Sequence, residues 1–118
     1  PQAVLILPGF GISHVAYSEV ASRFADAGIL AVVVSMEPLR FAHRHLGADV
    51  VSLTRIMKRI QSDRHHQQQY EWNLLGHSAG AFSAMHLYHQ LHTNLPNSHP
   101  GIQVRKLILW GCAALVHM

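Results

Sequence analysis

Residues 76–80 read Gly-His-Ser-Ala-Gly. A serine with glycines two residues before and two residues after it is the G-x-S-x-G pattern of a nucleophile elbow. It makes Ser78 the candidate for covalent chemistry. The spacing has a physical reason. A serine on a sharp strand-to-helix turn projects its hydroxyl into a cleft, and the turn demands strained backbone angles. Flanking side chains would collide there, so Gly76 and Gly80 are the residues that fit. A helix that starts at such a turn aims its free N–H groups and positive dipole end at negative charge forming on the serine. With Gly and Ser each near ~7% of residues, the three fixed positions match by chance only ~0.04 times in a chain of 118 residues. The plainer alternative is a turn whose serine merely caps a helix.

The elements that must position Ser78 can be read on either side of it. Trp72-Asn73-Leu74-Leu75 reads as a short buried strand. Ala79 to His92 reads as a helix, with Phe82, Met85, Leu87, Tyr88 and Leu91 as apolar surface. Upstream, Ala3 to Leu7 is a first strand, closed by the glycine-rich loop Pro8-Gly9-Phe10-Gly11. A helix from about Ala16 to Ala27 carries Val20, Phe24 and Ala27 on one face, and Gly28 is placed to stop it. Ile29 to Ser35 is a second strand, apolar almost throughout, as a strand covered on both faces should be. Glu37-Pro38 breaks the pattern, and Leu39 to His45 leads into a second helix, about Leu46 to Ser62. Its apolar positions Leu46, Val50, Leu53, Met57 and Ile60 recur every three or four residues. Thr93 to Gly101 reads as a loop, and Leu107 to Trp110 is a fourth strand closed by Gly111. The alternation predicts an α/β domain, a mostly parallel sheet of about four strands with helices on both faces.

Composition agrees with a buried sheet. Hydrophobic residues make up 49% of the chain and charged residues 13%, which excludes a disordered class. No apolar run reaches the ~18–20 residues of a membrane span. The longest, Leu107 to Val116, is broken by Gly111. No signal peptide is visible, so the cytoplasm is the default compartment. The chain begins at Pro1 rather than Met, which leaves a native N-terminus and any targeting segment to lie further upstream. The formal charge is +3 with histidine neutral. Arg55, Lys58 and Arg59 on the second helix read as a solvated face and not a nucleic-acid surface, and Arg105-Lys106 precede the last strand. The single Cys112 excludes an internal disulfide and reads as a small buried side chain.

Together, the first strand with its Pro8-Gly9-Phe10-Gly11 loop, Tyr17 in a helix ending Ala27-Gly28, the strand Ile29 to Ser35 and the Gly76–Gly80 elbow resemble the α/β-hydrolase superfamily. The nearest likeness is to compact esterases of the dienelactone-hydrolase kind. The likeness covers nearly all of this chain but only the middle of the family fold, so residues 1–118 read as one incomplete domain of that kind. It implies the strand order second, first, third, fourth. It implies Ser78 as nucleophile and the backbone N–H of Ala79 as one oxyanion donor. The second donor would come from the loop after the first strand, Phe10 N–H first and Gly11 N–H as the alternative. Pro8 stands where many members carry histidine, which does not touch those backbone donors. The implied activity is carboxylic-ester hydrolysis on a small-molecule ester, without cofactor. The outer strands would have open edges, which predicts self-association and poor solubility of the segment in isolation.

The sequence departs from the family at the base. A serine needs a base and an acid to orient it, in the order Ser, Asp or Glu, His. No Asp or Glu follows Glu71. His86, His89, His92, His99 and His117 follow Ser78, yet none lies where the family's histidine belongs, with His117 the outside candidate. His77 reads as a packing residue pointing away from the nucleophile. The simplest account is a piece of a longer protein whose acid and histidine lie beyond Met118. The alternatives are an inactive binding module of the same fold, or an acyltransferase.

Other constellations are weaker. Eleven histidines raise the question of a metal. His86 with His89, His43-Arg44-His45 and His65-His66 give only local pairs, and Glu37 and Asp49 have no evident partner, so no zinc site is expected. Gly9-Phe10-Gly11 lacks the third glycine of a dinucleotide loop and the lysine of a P-loop. Trp72 and Trp110, at strand positions, read as core.

Overall fold

The computed structural model describes residues 1–9, 11–35, 50–63, 69–93 and 101–111. Four strands, β1 (Gln2–Leu7), β2 (Leu30–Val33), β3 (Glu71–His77) and β4 (Gln103–Trp110), form one sheet in the order β2-β1-β3-β4. Every neighbouring pair is parallel. The strand order is the expected one. A single 3-10 turn, His14–Tyr17, leads into α1 (Ser18–Asp26), and α2 (Val50–Asp63) and α3 (Gly80–Thr93) follow.

The two faces of the sheet carry separate cores. Side chains alternate along a strand, so β1 feeds both. Ala3, Leu5 and Leu7 join Trp72 and Leu74 under Leu53 and Met57 of α2 and Ala84 and Leu87 of α3. Val4 and Ile6 join Leu75 under Tyr17 and the Val20, Ala21 and Phe24 face of α1. Helices therefore cover both faces, and β1 is buried on both, which is why its sequence is apolar without alternation.

The end of α1 follows from Gly28. Its φ is +82°, a backbone conformation that side chains other than glycine rarely adopt. That turn lets Gly28 N–H bond Ala25 O (2.9 Å) and Ile29 N–H bond Phe24 O (3.0 Å), the paired bonds of a Schellman cap. Ile29 and Phe24 then pack into the same core. On the other face, Gln61 ties α2 to the sheet. Its Oε1 accepts from Trp72 Nε1 (2.9 Å) and Tyr70 N–H (3.3 Å), and its Nε2 donates to Gly101 O (3.1 Å).

Several expectations need correction. The fourth strand starts at Gln103, so Arg105 and Lys106 lie inside it. The register passes from Trp72↔Val104 to Asn73↔Lys106, leaving Arg105 as the extra residue of a bulge. An edge strand tolerates such exposed charges, so an apolar run alone marked its start too late. Ala27 is an exposed cap residue and not part of the buried face. Ala16 and Tyr17 form the 3-10 turn and not the first turn of α1. Trp72 is fully buried, but Trp110, at the last position of an edge strand, is 43% exposed. Phe10, Glu37-Pro38, the lead-in from Leu39 to His45, the helix start from Leu46 to Asp49, His65-His66, His99, Cys112 and His117 lie outside the described residues. Among the described residues, no helix is long and apolar enough to cross a membrane.

Candidate functional site

The chain leaves β1 for β2 through α1 on one face and reaches β3 past α2 on the other. The order of connection therefore reverses between β1 and β3. In open α/β sheets, ligands bind in the crevice at the carboxyl ends of the strands at such a reversal. The two segments that end there are the Pro8-Gly9 loop entry and the elbow at Ser78.

Ser78 lies between the end of β3 and the start of α3 with φ +55°, the only non-glycine residue with positive φ among the described residues. Its backbone is fixed at both ends. Ser78 N–H donates to Trp110 O (3.0 Å), extending the β3–β4 ladder, and Ser78 O accepts from Ala81 N–H (3.0 Å). Ala79 O takes Phe82 N–H (3.2 Å). The Ser78 side chain does none of this. The residue is exposed, and its hydroxyl has no hydrogen-bond partner among the described residues. The Ala79 N–H is likewise without one, as expected for the first turn of a helix.

The glycines are required by backbone approach. A Cβ on Gly76 would lie 2.5 Å from Gly80 O and 2.6 Å from Ala81 Cα. One on Gly80 would land on the carbonyl oxygens of Leu7 and Pro8. The elbow is thus pressed on the end of β1. Gly9 completes the contact: a Cβ there would sit 3.2 Å from Ser78 Cβ and 3.3 Å from His77 O. The loop beyond Gly9 turns at once, with Ile12 N–H bonded to Gly9 O (3.1 Å) and Gly11 at φ +75°. Gly9 N–H is held by Tyr17 Oη (2.8 Å) and so cannot serve as a free donor. Gly11 N–H has no partner among the described residues. Phe10, the first-choice donor, falls outside them.

His77 has a role that the sequence did not suggest. Its Nδ1 meets Tyr17 Oη at 2.7 Å, and its ring lies over Trp110 with centroids 4.3 Å apart. It packs, as expected, but it also closes a polar link from Gly9 N–H through Tyr17 to the residue before Ser78. No local signal announces this link, because Tyr17 and His77 are 60 residues apart in the chain. The histidines of α3, His86, His89 and His92, are exposed. No group of three or more His, Cys, Asp or Glu among the described residues is placed to hold a metal ion. No protein-family model matches the chain, and no curated protein matches it.

Proposed function

We propose that the chain carries the nucleophile part of a serine hydrolase of the α/β-hydrolase kind, cleaving carboxylic esters through an acyl-enzyme at Ser78. The observation that carries the reading is a serine at φ +55° whose exposed hydroxyl bonds nothing among the described residues. Strain of this kind costs roughly 1–3 kcal/mol and clusters at functional sites. Its position at the topological reversal, against a loop with positive-φ Gly11, supports the same reading.

The chemistry follows in two halves. Ser78 Oγ adds to the ester carbonyl carbon and gives its proton to a general base. The carbonyl π electrons move to oxygen, where Ala79 N–H and a second N–H, from Phe10 or Gly11, stabilise the oxyanion. One such donor contributes roughly 3–4 kcal/mol. Collapse expels the alkoxide, which takes the proton from the base and leaves as alcohol. Water then adds to the serine ester by the same route and releases the acid. Acyl transfer differs only in the acceptor of this second half. The base is assigned to none of His77, His86, His89 and His92. His77 is engaged with Tyr17, and His86, His89 and His92 lie about 9 to 18 Å along α3 from its first residue.

The test is a fluorophosphonate probe on the native protein that carries this chain. The expected result is a labelled peptide containing Ser78, lost in Ser78→Ala. A folded native protein that takes no label overturns the proposal. Hydrophobic ligand affinity unchanged by Ser78→Ala would then favour the binding-module alternative.

A further inference from the structure

We infer that Tyr17, held by His77, is a positioning residue that sets the oxyanion-donor loop against Ser78; the inference rests on the hydrolase reading above. The geometry is that of one hydroxyl shared by three chain segments. Tyr17 is 1% exposed, in the turn that leads into α1. Its oxygen accepts from Gly9 N–H at 2.8 Å, in the loop that follows β1. It also meets His77 Nδ1 at 2.7 Å, at the end of the strand that enters the elbow. A phenol has one proton to give. Its oxygen keeps a second lone pair beside the one that takes Gly9 N–H, so the direction of the bond to Nδ1 follows the tautomer of His77. The His77 ring is held in turn by Trp110, and Gly111 leaves room for it, since a Cβ there would lie 3.2 Å from Nε2.

The consequence concerns Gly9. It is buried, and its N–H would be left unsatisfied without the Tyr17 oxygen. It also lies directly against Ser78 Cβ and His77 O. Moving Gly9 to satisfy its N–H elsewhere moves the turn closed by Ile12 N–H and Gly9 O, and with it Gly11, whose N–H has no partner among the described residues. Tyr17 touches no reacting atom. It acts through the loop, so its loss should affect stabilisation of the transition state more than binding of the ester.

The experiment compares native protein with Tyr17→Phe, His77→Asn and His77→Leu on a p-nitrophenyl ester. Rates are expressed per active site titrated with a fluorophosphonate. Asn can present an oxygen or an N–H where Nδ1 stands; Leu can present neither. The expected result is a kcat per site lowered roughly ten- to a hundredfold in Tyr17→Phe with KM within about threefold. His77→Leu should be slowed less, and His77→Asn should stay within about twofold of the parent. Affinity for a trifluoromethyl ketone, which forms a tetrahedral oxyanion, should fall in parallel with kcat/KM. A merely structural role would lower the number of titrated sites and leave kcat per site unchanged, and that result overturns the inference. Should Tyr17→Phe fail to fold, the His77 pair decides. Leu slower than Asn per site supports the link, and equal rates overturn it. An unlabelled wild-type protein is a different failure, that of the hydrolase reading, and removes both.

Discussion

Ser78→Gly should stabilise the protein relative to Ser78→Ala, although glycine normally does the opposite. Ser78 sits at φ +55°, in the left-handed region. An L-residue pays roughly 1–2 kcal/mol there because its Cβ crowds the following carbonyl. Glycine escapes that strain but loses about 0.5–1 kcal/mol more backbone entropy on folding. The net advantage of glycine over alanine is about 1 kcal/mol, or about 4 °C in Tm for a chain of this size. Ser78→Ala itself should be nearly neutral, within about 0.5 kcal/mol, because the hydroxyl is exposed and bonds nothing among the described residues. The assay is urea unfolding of the native protein and the two variants, with Lys58→Gly and Lys58→Ala as a control pair. Lys58 is exposed in the middle of α2, where glycine should be worse than alanine by about 1 kcal/mol. Opposite signs at the two positions are the expected outcome. A glycine at position 78 no more stable than alanine would refute the idea that the elbow stores strain.

Two further perturbations separate close packing from backbone angle and test the α2 anchor. Gly80→Ala drives a Cβ onto the carbonyl oxygens of Leu7 and Pro8 and should cost about 3 kcal/mol, whereas Gly28→Ala meets nothing within 4 Å and should cost only about 1 kcal/mol for its φ. Denaturant midpoints that rank the two in the reverse order would count against this account of the elbow glycines. Gln61→Leu removes the acceptor of Trp72 Nε1 and Tyr70 N–H and should lower stability by about 2 kcal/mol; a loss within error in the same unfolding assay would show that water replaces Gln61 at little cost.

The parts of this fold that were legible in the sequence are those where sterics leave few choices. The apolar runs of Ala3 to Leu7 and Ile29 to Ser35 read as strands, the second as one covered on both faces, and β1 and β2 fall on them. Gly28 after an amphipathic run could only end a helix. The glycines around Ser78 are dictated by backbone contacts that exclude any Cβ. The parts that were not legible depend on partners distant in sequence. Arg105 and Lys106 gave no strand signal, because an edge strand takes its geometry from its neighbour β3 and not from its own hydropathy. Trp110 was read as core from its residue type, yet its place at the end of an edge strand leaves it 43% exposed. Tyr17 and His77 each look ordinary alone. Their link exists only once the sheet has brought the end of β3 beside the loop after β1.

The two serines that precede helical turns argue for chemistry at Ser78 better than the motif does alone. Ser13 stands before the 3-10 turn in extended geometry, and its Oγ accepts from Val15 N–H at 3.2 Å. That is what a capping serine does. Ser78 stands before a longer helix and does not do it. Ala81 N–H goes to the main-chain oxygen of Ser78, which any residue could supply, and the hydroxyl is left exposed. If capping were the purpose, the strained φ and the exclusion of side chains at Gly76 and Gly80 would be unnecessary. If a tight turn were the purpose, glycine at position 78 would make it with less strain. A serine is favoured over both only if its hydroxyl is needed where the elbow puts it, at the reversal between β1 and β3 and beside a loop whose first N–H is already tied back by Tyr17.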